Sequence, residues 1–126
     1  MLLQAYEQFL PEILEAVNKV YGEKLVTLAV FGSVGRSTPR PDSDIDMLIV
    51  AEGLPHGRMK RVVEFERVEE ILTTPMKRLE SLGIYTFLSP VIKRKEEVLA
   101  GSLLFLDMLD DARILYDKNK FFGQGH

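Results

Sequence analysis

Phe31-Gly32-Ser33-Val34-Gly35-Arg36-Ser37-Thr38-Pro39-Arg40-Pro41-Asp42-Ser43-Asp44-Ile45-Asp46 is the stretch on which the fold turns. Leading into it, Leu25 to Phe31 is almost wholly apolar and partly β-branched, the pattern of a buried strand. Leaving it, Asp44 to Val50 is polar at its start and apolar afterwards, which predicts a second strand. Between them, residues 32–43 are rich in Gly, Ser, Thr, Pro and Arg, the chemistry of a turn. Asp44 and Asp46 are two apart on a predicted strand, so their side chains project from one face. Carboxylates held that close repel each other unless a cation lies between them. Hard oxygen ligands of this kind suit Mg²⁺ or Mn²⁺, completed by the phosphates of a substrate. Gly32 and Ser33 stand where the first strand ends. Outward-pointing amides of such a turn can hold a phosphate, glycine lets it come close, and the Ser33 hydroxyl adds a donor. Arg36, one helical turn on, can bring positive charge to the same phosphates. The P-loop pattern of Gly-x-x-x-x-Gly-Lys-Ser/Thr is absent.

Working outward, residues 2–21 repeat apolar side chains at Leu2, Tyr6, Phe9, Leu10, Ile13, Val17 and Val20, one face of an amphipathic helix closed by Gly22. Pro11 inside it predicts a kink or a split. After a loop at 52–57, Val62, Phe65, Val68, Leu72, Met76 and Leu79 mark a long helical face. Thr74 is its predicted internal N-cap and Pro75 the first residue of a second helix. Ile84 to Ile92 is a third strand candidate, with Pro90 pointing to a bulge or a sheet edge. Tyr85 and Phe87 alternate along it and read as core. Lys95 to Leu109 predicts an amphipathic helix, broken at Gly101. Arg113 to Tyr116 predicts a short last strand, and 117–126 a polar, frayed tail. The expected fold is α/β (α+β), a mixed sheet of about four strands packed on helices. Residues 1–120 form the expected single domain, and 121–126 a frayed end.

Composition narrows the chemistry. The chain has 126 residues, no cysteine and two histidines, His56 and His126. Disulfides, thiolate zinc sites and cysteine nucleophiles are excluded, and a histidine-based triad has almost nothing to work with. Sixteen basic against nineteen acidic residues give a net charge of -3, which is not the basic excess of a general nucleic-acid binder. No apolar run approaches the roughly 18–20 residues of a membrane span, and the N-terminus lacks a secretory signal. The expected location is the cytoplasm. Carboxylates, hydroxyls, backbone amides and basic side chains must carry any reaction.

Gly32-Ser33, ten intervening residues, then Asp44-Ile45-Asp46 resembles the signature of the DNA polymerase β-type nucleotidyltransferase superfamily. Arg36 and the Arg40-Pro41-Asp42-Ser43 lead-in resemble its minimal branch. The resemblance implies a polymerase β-like fold and transfer of a nucleoside monophosphate, AMP from ATP or another nucleoside triphosphate, to an acceptor hydroxyl with two divalent metals. It implies Asp44 and Asp46 as metal-binding and catalytic residues, and Gly32, Ser33, Arg36 and Ser43 as nucleotide contacts. It also implies a protein partner of the small helical HEPN type, paired as toxin with this chain as antitoxin and adenylylated on tyrosine, or else a homo-oligomer. No membrane and no DNA template are expected.

One feature of the superfamily is missing. A third carboxylate usually comes from a neighbouring strand, and Ile84 to Ile92 contains none; Thr86 and Ser89 are weak substitutes. Glu64, Glu66, Glu96 and Glu97 are not placed near the aspartates by sequence. This departure supports a second reading, a catalytically impaired nucleotide-binding or antitoxin module that acts by protein–protein binding. His56 reads as a surface residue, Lys93-Arg94-Lys95 as a solvated helix start, and Asp107, Asp110 and Asp111 as a solvated cluster. Phe121-Phe122 marks a candidate partner contact.

Overall fold

The computed structural model describes residues 2–101 and 112–121. In chain order the elements are α1 (Leu2–Tyr21), β1 (Leu25–Phe31), α2 (Gly32–Gly35), β2 (Ile45–Ala51), α3 (Arg58–Ile71), α4 (Thr73–Ser81), β3 (Leu88–Arg94), α5 (Lys95–Ala100) and β4 (Arg113–Asp117). Among the described residues the strands make one mixed sheet in the order β3-β2-β1-β4. β1 pairs antiparallel with β2 and β4, whereas β3 runs parallel to β2. The mixed α/β fold with about four strands is therefore the one expected.

Both faces of the central strands are covered. Leu28 and Val30 of β1 and Ile45, Met47 and Ile49 of β2 pack with Tyr6, Phe9, Ile13 and Val17 of α1, with Phe65 and Val68 of α3, with Leu79 of α4 and with Leu72 between the two helices. Leu48 and Val50 point the other way, into a smaller cluster with Val26, Val98 of α5 and Phe121. Asp46 has the parity of Leu48 and Val50, so its carboxylate lies on that second face, at the end α5 leaves uncovered.

Several details depart from the sequence expectations. α1 runs unbroken through Pro11, which is exposed, so the hydrogen bond it cannot donate is lost on the solvent side. The long helix divides at Leu72, not at Thr74. Thr73 opens α4 with its Oγ1 donating back to the Glu70 carbonyl at 2.9 Å, and Pro75 sits inside the first turn, where no donor is needed. Val62 faces outward, and Arg61 takes the buried position beside it. The third strand starts only at Leu88. Residues 84–87 are tied instead to the loop before β2, through Tyr85 N–H to the Pro41 carbonyl at 2.9 Å and Ile45 N–H to the Phe87 carbonyl at 2.8 Å. Ile84 and Thr86 turn inward while Tyr85 and Phe87 are 62% and 71% exposed, so the aromatic pair is not core. The alternation was right and its sign was wrong. Pro90 is on an edge strand, as anticipated. Residue 117 belongs to β4, a 3-10 turn spans Lys118–Lys120, and Phe121 packs inward beneath the Lys95 ammonium, 5.5 Å from its ring centre. The helix expected to Leu109 is seen as Lys95–Ala100, ending at Gly101. Asp107, Asp110, Asp111 and Phe122 lie outside the described residues.

Candidate functional site

β1 ends at Phe31 directly opposite Asp46, so the turn that follows begins beside the second aspartate. Gly32 adopts φ +71°, a left-handed conformation that favours glycine. A Cβ placed there would stand 2.6 Å from Asp46 Oδ2 and 3.6 Å from its Cγ. The missing side chain is thus the space that the carboxylate fills. α2 is a single helical turn, stitched by Arg36 N–H to the Gly32 carbonyl at 3.1 Å and Thr38 N–H to the Ser33 carbonyl at 2.8 Å. The N–H groups at the start of such a turn have no intrahelical partner and remain available to an anion. Arg36 is exposed on its far side.

Asp44 is exposed and Asp46 is the only residue of β2 that is not fully buried. Burial, followed by the charge of Asp44, raises the carboxyl of Asp46 above the ordinary aspartate range. The sign of the consequence is fixed: the fold holds this proton more tightly than the unfolded chain does. Keeping Asp46 ionised costs stability at neutral pH, and the cost disappears as pH falls through the raised value. Asp46→Asn is therefore expected to raise the melting temperature at neutral pH without divalent cation. Thermal scans from neutral to acid pH should see that gain shrink; a gain that does not change with pH would contradict it.

The lead-in loop is held from beneath by buried hydroxyls. Tyr6 of α1 donates to the Arg40 carbonyl at 2.9 Å and the Ser43 carbonyl at 3.1 Å. Thr86 Oγ1 donates to the same Ser43 carbonyl at 2.6 Å. The Ser43 hydroxyl is turned inward. It accepts the Arg40 N–H at 2.7 Å and the Ser33 hydroxyl at 3.0 Å, so it links the Gly-Ser turn to the residue preceding Asp44. Of the expected nucleotide contacts, Ser43 is thereby placed as a joint between the two halves of the site. Tyr6→Phe removes one donor from each carbonyl, which keep the Ser43 N–H and Thr86 Oγ1 respectively, so about 0.5–1.5 kcal/mol of stability should be lost. Urea denaturation checks this, with Thr86→Val expected to lower stability and Thr86→Ser to retain it.

Arg113 at the start of β4 ties the other flank. Its guanidinium binds the Glu7 carboxylate and donates to Ser37 Oγ at 2.6 Å, fixing a residue with φ +61°. The Glu7 carboxyl is lowered by that hydrogen bond. Neither Tyr6 nor Arg113 was singled out from sequence for this role; both contacts join residues far apart in the chain.

Beside Asp46 on β3 lies Ser89, its register partner on the same face and exposed. This is the neighbouring-strand position at which a third carboxylate would be sought, and it carries a hydroxyl. Thr86 points inward to Ser43. Among the described residues no group of three or more His, Cys, Asp or Glu side chains could hold a metal. Asp44, in the loop just before β2, and Asp46, seated in the glycine cradle, lie close enough for their charges to interact, and they fit a divalent cation whose remaining ligands are phosphate oxygens and water.

The model of the nucleotidyltransferase domain family matches residues 10–100, which include the Gly32 turn, both aspartates and Ser89. A candidate protein adenylyltransferase of Methanocaldococcus jannaschii is 26% identical over 115 residues, covering 90% of this chain and 73% of that protein. A candidate nucleotidyltransferase from Sulfolobus solfataricus has a similar structure, with a TM-score of 0.51 at 18% identity over 93% of this chain and 87% of its own. So does a toxin–antitoxin structure containing AMP-PNP, with a TM-score of 0.50 at 15% identity over 87% and 74% of the two chains. At these identities the two structures speak for the fold. Among the described residues no helix is long and apolar enough to cross a membrane.

Proposed function

Because the chain belongs to the nucleotidyltransferase domain family, we propose that it moves AMP from ATP to a hydroxyl of another protein, with a divalent cation held by Asp44 and Asp46. The observation that carries this reading is the seat of the Asp46 carboxylate against Gly32, which joins a phosphate-binding turn to a cation-binding pair. The name of the Methanocaldococcus relative supports a protein as acceptor and adenylate as the group transferred.

In this reading the N–H groups of the Gly32–Gly35 turn and the Ser33 hydroxyl grip the triphosphate, with Arg36 adding charge. Asp44 and Asp46 are the catalytic carboxylates and hold Mg²⁺ or Mn²⁺, which when bound neutralises the triphosphate and polarises the reacting phosphoryl group. The acceptor hydroxyl oxygen forms a bond to the α-phosphorus and gives up its proton to solvent water, the bond from that phosphorus to the bridging oxygen breaks, and pyrophosphate leaves with the electron pair. Alignment and charge neutralisation supply the acceleration, since such transfers ask little covalent chemistry of the protein. The Tyr6–Ser43–Thr86 hydroxyls keep the two halves in register. Residues 1–120 act as one catalytic unit in the cytoplasm, and the acceptor is a HEPN-type partner.

Incubation with ATP labelled at the α-phosphate, Mg²⁺ and a HEPN-type protein is expected to leave label on that protein. An unlabelled partner under both Mg²⁺ and Mn²⁺ would overturn the transfer. Ser89 beside Asp46 favours a second reading, a nucleotide-binding antitoxin that acts by occupying its partner. It predicts Mg-ATP binding and partner binding with no label.

A further inference from the structure

α3 presents apolar side chains to solvent and a charged one to the interior. Met59, Val62 and Val63 are 73%, 46% and 57% exposed, while Arg61 is 9% exposed. The arginine is fully engaged: Nε donates to the Pro55 carbonyl at 2.7 Å, and Nη1 to the Ile92 carbonyl at 3.2 Å and to Glu97 at 2.8 Å. It forms the floor of a cavity of about 540 Å³ between α3 and the edge strand β3. Val62, Phe65 and Val91 give it apolar walls, and His56, Arg58 and Lys93 stand at its mouth.

The charge around this hollow opposes that of the molecule. The chain carries a net charge of -3. Yet α3 opens Arg58-Met59-Lys60-Arg61 with no acid in its first turn, the reverse of what a helix dipole favours. Glu97 is already shared by Arg61 and Arg94, and Arg58 and Lys93 make no ion pair within 4 Å among the described residues. Glu69 is the other carboxylate in the wall, at the end shared with a second hollow that reaches Phe87 and Leu88. An anionic partner with apolar anchors would relieve the cationic helix start and cover Val62.

We propose that the groove between α3 and β3 docks an acidic, apolar-anchored segment of the acceptor protein. The inference rests on the protein-acceptor reading above. Val91 and Lys93 share the face of Ser89, the register partner of Asp46, whereas α3 packs on the opposite face, so the groove wraps the sheet edge and reaches Pro90, next to Ser89. A segment seated there leaves its neighbouring residues within reach of the aspartates. Strand addition is disfavoured, because Arg61 occupies the Ile92 carbonyl and Pro90 has no N–H to offer. Side chains, not a backbone ladder, make the contact.

The test uses a short fluorescein-labelled peptide alternating leucine and glutamate and ending in tyrosine, with a lysine-for-glutamate version beside it. Fluorescence anisotropy should show the acidic peptide binding saturably, the basic one not. Arg58→Glu combined with Lys93→Glu, or Val62→Asp alone, should weaken binding about tenfold or more, with Mg-ATP binding unchanged. Equal binding by the variants, or by the basic peptide, would overturn the groove. Transfer of α-labelled AMP to the peptide tyrosine is scored separately. Groove-dependent binding without label would leave the groove standing and count against the protein acceptor. Label that ignores the groove variants would do the opposite.

Discussion

Asp44→Asn and Asp46→Asn together are expected to reduce nucleotidyl transfer by at least about 10²–10³-fold, the loss typical of removing preorganised charge from a reacting centre. The change is nearly isosteric, so the backbone has no reason to move. Asp44 is exposed, and burial followed by its neighbour's charge raises the Asp46 carboxyl, which makes neutralisation favourable to the fold. Activity and stability should therefore part company: transfer collapses while the melting temperature holds or rises. Initial rates with saturating α-labelled ATP, set beside thermal scans, read both. A double variant retaining a tenth or more of wild-type transfer would remove the aspartates from the proposed chemistry.

Gly32→Ala is expected to be nearly as damaging by a different route. At φ +71° an L-residue costs roughly 1–2 kcal/mol of backbone strain. The added Cβ would also sit 2.6 Å from Asp46 Oδ2, closer than atoms can stand, so the carboxylate must shift. A displacement on the order of 1 Å at a reacting centre can cost 100-fold in rate. Gly83 supplies the control. Its φ is +81° and nothing lies within 4 Å of its missing Cβ. Gly83→Ala should lose comparable stability and keep its activity. Equal activity loss in the two variants would mean that strain, not the seat of Asp46, is responsible.

Much of this was legible because it is local. β1 and β2 stand within a residue of their expected bounds, since an apolar run stopped by glycine and a polar-to-apolar switch need no tertiary knowledge. The two aspartates, one just before β2 and one on it, are near each other through their spacing of two residues alone. What failed depended on which surfaces the fold covers. Tyr85 and Phe87 have the composition of core, but only the opposite side of their segment is packed, where Thr86 meets Ser43. Val62 fits the helical stripe of Phe65 and Val68, yet Arg61 takes the interior because two carbonyls and Glu97 await it. Pro11 is tolerated because it faces water. Tyr6 and Arg113 serve the site from more than 30 residues away on either side, so no window along the chain brings them to it.

In the proposed function the turn and the carboxylate pair act as one cation-dependent nucleotide site. Calorimetric titration of ATP into the wild-type chain and the Asp44→Asn, Asp46→Asn double variant, each with and without Mg²⁺, tests that most directly. The wild type is expected to bind ATP tightly only with Mg²⁺, and the double variant to lose the Mg²⁺-dependent gain. Equal affinity of the two chains for Mg-ATP, or wild-type binding indifferent to Mg²⁺, would contradict it.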